Sequence, residues 1–76
     1  MLIKTMNDQE KLIVYYSMNL YLLRDDENAL KLLKVYINKG TDLFEANIQR
    51  IMALIYLRKV DITEAMSSFK KANSIY

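Results

Sequence analysis

Seventy-six residues with a net charge of +2 suffice for one domain and leave no room for a second. The absence of cysteine and histidine excludes disulfide frameworks, thiolate or imidazole metal sites and Cys- or His-based catalysis. The eleven Lys and Arg form no run longer than Arg58-Lys59 or Lys70-Lys71, so the basic stripe expected of a nucleic-acid-binding protein is missing.

The chain opens without the basic start of a signal peptide, since Asp8 and Glu10 stand where that charge belongs. The first apolar stretch, Leu12 to Leu23, is interrupted by Ser17 and Asn19 and is shorter than the ~20 apolar residues a membrane span requires. A soluble, cytoplasmic protein is expected. A first helix is predicted over about 8–23, with Asn7 and Glu10 at capping-box spacing. Ten apolar side chains between Leu12 and Leu23 surround its axis, and a helix that is apolar all round is expected to be buried all round.

A second helix, over about 26–38, starts at the acidic group Asp25, Asp26 and Glu27 and ends at Lys39, with Gly40 as its expected C-cap. The third spans about 43–59, opened by Asp42 and Glu45 at capping-box spacing and closed by Arg58-Lys59. The fourth, about 62–75, follows Asp61 and Glu64. One side carries Ile62, Ala65, Met66, Phe69, Ala72 and Tyr76; Ser67, Ser68, Lys70 and Lys71 belong to the solvated remainder. With proline absent and all connections short, the expected fold is all-α: a single domain over 1–76 made of two consecutive antiparallel hairpins, about 8–39 and about 42–76.

The dense trio Asp25-Asp26-Glu27 invites a reading as a metal site or an acid/base pair. Consecutive residues diverge around a helix, however, and helix starts explain all nine carboxylates together. An enzyme is not expected, and no cofactor or metal is.

Shifted by 36 residues, the chain aligns with itself: Ser17 with Ala53, Leu20 with Tyr56, Arg24-Asp25 with Val60-Asp61, Ala29 with Ala65, Leu33 with Phe69 and Tyr36 with Ala72. In the second copy Met52-Ala53, Tyr56, Ala65, Phe69 and Ala72 follow one another at spacings that resemble the tetratricopeptide repeat (TPR), in which small residues let paired helices approach and aromatic residues fill the space beside them. The first copy keeps the small positions at Ser17 and Ala29 and departs at Leu20, Leu33 and Tyr36.

The resemblance implies a groove lined by the first helix of each pair, here Val14, Met18, Tyr21, Leu22, Arg50, Leu54, Leu57 and Arg58. That lining is largely apolar and suits the apolar face of a partner helix. A two-hairpin stack cannot cover helix 1 on every side, so another protein is expected to do so. In size and helix pairing the chain also resembles the small TPR-like chaperones of type III secretion, including those that hold the needle subunit, which implies a chaperone masking a helical partner. The alternatives are a homodimer that packs helix 1 on helix 1, and a helix-turn-helix regulator, for which helix 3 has few exposed polar side chains.

Overall fold

The computed structural model describes residues 5–59 and 61–75. Its helices are α1 (Asp8–Leu22), α2 (Asp26–Val35), α3 (Asp42–Arg58) and α4 (Ile62–Ile75), with no strand among the described residues. The protein is all-α, arranged as the hairpins α1–α2 and α3–α4. Val60 and Tyr76, which the sequence assigns to the second turn and to the apolar side of helix 4, lie outside the described residues.

Helix α1 begins as its sequence predicts. Asn7 accepts from the Glu10 N–H at 2.8 Å, and Glu10 accepts from the Asn7 N–H at 3.1 Å, a complete capping box. At its other end Arg24 takes a left-handed conformation (φ 64°), its N–H donates to the Tyr21 carbonyl, and the Asp25 N–H donates to the Leu20 carbonyl at 2.8 Å. This double closure satisfies carbonyls that the helix end would otherwise leave open. The second hairpin repeats the pattern at an offset of 36: Asp61 N–H to the Tyr56 carbonyl at 2.8 Å, and Ala65 N–H to the Asp61 carbonyl, as Ala29 donates to Asp25. The repeat read in the sequence thus returns in the backbone hydrogen bonds of the two turns.

Two terminus assignments are corrected. The N-cap of α3 is Thr41 rather than Asp42: the Thr41 hydroxyl accepts from the Phe44 N–H, while Glu45 turns away to accept from the Asn38 N–H at 2.7 Å and from the Gln49 side chain at 2.9 Å. Gly40 is not the C-cap of α2, which ends at Val35; the left-handed residue in that connection is Asn38, at φ 61°. Gly40 serves by having no side chain, because a Cβ there would run into the Glu10 carboxylate and the Phe44 ring.

Helix α3 packs against all three of the others, α1 against α2 and α3, and α4 against α3 alone among the helices. Val14, Leu30, Leu33, Phe44, Ile48, Ile51, Met52 and Ile55 form the main core with Ala29. Parallel alignment of α1 and α3 is tied at both ends. Where they begin, Glu10 accepts from the Thr41 N–H at 2.8 Å and from its hydroxyl at 3.1 Å; where they finish, Arg58 donates to the Tyr21 carbonyl. Between α3 and α4 the buried residues are small: Ala46 and Ala53, with Gln49 between them, on one side, and Ala65, Ser68 and Ala72 on the other. Both sets step i, i+3, i+7, one helical stripe each, so the backbones lie close along their length.

The helix that packs on all the others is therefore α3, although Arg50 and Leu57 on it stay exposed, and α1 is left open on one side, as expected of a two-hairpin stack. The central position in the stack decides this, and α1 occupies an end. Helix α4 is also rotated from expectation: Ser68 is buried, and Ile62 and Met66 are more than half exposed.

Candidate functional site

On α1, Val14 and Ser17 face inward, and Ile13, Met18, Leu20 and Tyr21 pack partly against the core. The opposite face is open to solvent and is apolar. Leu12, Tyr15, Tyr16, Leu22 and Leu23 retain between 57% and 74% of their accessible surface, at spacings that place them on one side of the helix with Asn19 among them. Their exposure follows from topology: α2 and α3 take up the inward half of α1, and α4, the other described helix, packs elsewhere.

The residues that the resemblance implies for binding divide into three groups. Val14 is a core residue and is corrected on that account, because its side chain is turned into the α1–α2–α3 cluster and presents almost nothing outside. Tyr21 and Arg58 meet at the seam between α1 and α3: the guanidinium lies over the Tyr21 ring at 3.8 Å from its centroid and pairs with Asp26 at 3.1 Å. Arg58 thereby joins the C-terminal end of α3 to α1 and to the start of α2, both polar contacts being made through its Nη2. Met18 packs partly against the core, whereas Leu22 and Arg50 are exposed, Leu57 is half-exposed and Leu54 partly so. Arg50, Leu54 and Leu57 share a single stripe of α3 at i, i+4, i+7.

One open cavity of about 370 Å³ lies elsewhere, where α4 ends beside the α2–α3 connection, bounded by Ile37, Asn38, Asp42, Gln49, Lys71 and Ser74. Its central polar group, Glu45, already serves Asn38 and Gln49. Among the described residues no group of three acidic side chains is placed to hold a metal ion, and no helix is long and apolar enough to cross a membrane.

The outward face of α1 thus offers apolar area rather than convergent polar groups. Set against protein-family models, curated proteins and solved structures, the chain matches none of them. Its reading therefore rests on its own residues. Tyr15 and Tyr16 stand outside the lining that the resemblance implies, because an all-round apolar helix gives no signal of which half a neighbour will cover.

Proposed function

We propose that this chain is a protein-docking module of TPR-like construction, which holds a helical element of another polypeptide against the outward face of α1. The observation that carries it is the run of five exposed apolar residues on that face, in a chain whose remaining large side chains mostly pack inward. Contiguous exposed apolar surface marks interaction sites in proteins of this size. Tyrosine suits such a surface, since its ring is buried on binding while its hydroxyl stays at the wet rim. A partner helix presenting apolar residues at i, i+3, i+4 and i+7 would match the stripe.

The resemblance to small TPR-like secretion chaperones supports a narrower form, in which the partner is an aggregation-prone helical subunit, such as a needle protein, kept masked in the cytoplasm. No catalytic step enters this reading. To test it, the tagged chain and a Tyr15→Glu/Tyr16→Glu variant would be recovered from the cells that make the protein. A specific polypeptide bound to the former and lost from the latter, with circular dichroism unchanged, is the expected result. Identical recoveries from both would remove the α1 face from consideration. For the narrower form, the recovered partner should be insoluble when expressed without this chain.

A further inference from the structure

The two ends of the stack expose the two halves of an interface that the molecule already makes within itself. The residues with which α3 enters the main core include Ile48, Ile51, Met52 and Ile55, all buried. Thirty-six positions earlier stand Leu12, Tyr15, Tyr16 and Asn19, all exposed on α1. The same relation holds on the receiving side: Leu30 and Leu33 of α2 are buried in that core, and thirty-six positions later stand Met66, more than half exposed, and Phe69, partly exposed, on α4. The hydrogen bonds that close α1 and α3 and open α2 and α4 repeat at this offset too, which keeps the helical positions of the two hairpins in the same register from the turn.

We propose that the occupant of the α1 face is a second copy of this chain, docked with its α1 against α4 of the first in the register by which α3 sits beside α2. The proposal rests on the docking reading of α1 and names both the partner and its surface. At one point the chemistry changes in favour of association between molecules. Inside the chain the register is pinned by Arg58 on Asp26; the equivalents of that pair are Leu22 and Ile62, both exposed and both apolar. The contact between copies would therefore replace an ion pair, whose partners must lose water, with a hydrophobic one. The two surfaces are different, so the association is head to tail, each copy keeps one free end, and the assembly grows with concentration rather than stopping at two.

The experiment uses the full chain and two variants, Tyr16→Glu at the α1 end and Met66→Glu at the α4 end, with molar mass read by light scattering on a sizing column across a tenfold concentration range. Wild type is expected to grow beyond a dimer. Each variant alone should be monomeric, and an equimolar mixture should form a dimer, because each supplies the face the other lacks. Circular dichroism checks folding, and Leu12→Glu with Ile62→Glu form a second pair should either first variant lose helix. Continued self-association of Met66→Glu alone would mean α1 packs on α1 and would overturn the proposal, as would a mixture that stays monomeric. Wild type that is monomeric at every concentration would overturn it as well, while the docking reading of α1 would still be decided by co-purification with the Tyr15→Glu/Tyr16→Glu variant.

Discussion

Glu10 does the work of two caps from one buried carboxylate. It accepts from Asn7 at the start of α1 and twice from Thr41 at the start of α3, so its charge lies near the positive ends of two helices. Glu10→Ala should cost about 2–4 kcal/mol, read from the urea midpoint, because it removes the capping box and leaves the Thr41 N–H without an acceptor. Gly40→Ala should cost roughly 1–3 kcal/mol in the same assay, since the new methyl must displace the Glu10 carboxylate and the Phe44 ring. Arg24→Gly should act in the opposite sense, stabilising by up to ~1 kcal/mol, because glycine adopts the left-handed backbone there without a Cβ penalty. The Asn7 and Glu10 box is legible in the sequence because its partners lie three residues apart. The bond from Thr41, 31 residues away, is not legible, and it is what draws the cap of α3 one position forward from Asp42.

Helix positions were set by caps and turn bonds, but helix faces were set by size. Apolarity alone assigns Ile62 and Met66 to the inner side of α4; the closest approach to α3 instead selects Ala65, Ser68 and Ala72, the smallest residues available at i, i+3, i+7. Ala53→Leu, at a fully buried position of α3, should therefore destabilise by about 1–3 kcal/mol through overpacking, measured as a fall in thermal midpoint. Ser17, its equivalent in the first hairpin, is equally buried and satisfies its hydroxyl on the Val14 carbonyl at 2.9 Å. The small-residue positions of both copies are readable from the 36-residue alignment. The rotation of α4 is not, because a serine can be core or surface and only the spacing between helices decides.

Across the whole molecule, the number and order of helices follow from acidic starts and short connections, and these are written locally in the chain. Which helix lies in the middle is a property of the stack. Both α1 and α3 are rich in apolar residues, and the difference in their burial comes from having two hairpins, with α3 between the others and α1 at an edge. The position of α4 has a consequence for local opening. It packs on α3 alone among the helices, and none of its residues belongs to the main core cluster. Its detachment would take no member from the cluster of Phe44, Leu33 and Ile48 with their neighbours on α1, α2 and α3, and is expected as an opening smaller than global unfolding. Under native-state hydrogen exchange, amides of 66–75 should lose protection at a lower free energy than those of 48–57, and added denaturant should narrow the interval, because the smaller opening exposes less surface and has the shallower denaturant dependence. Uniform protection across all four helices would mean that the stack opens only as one unit.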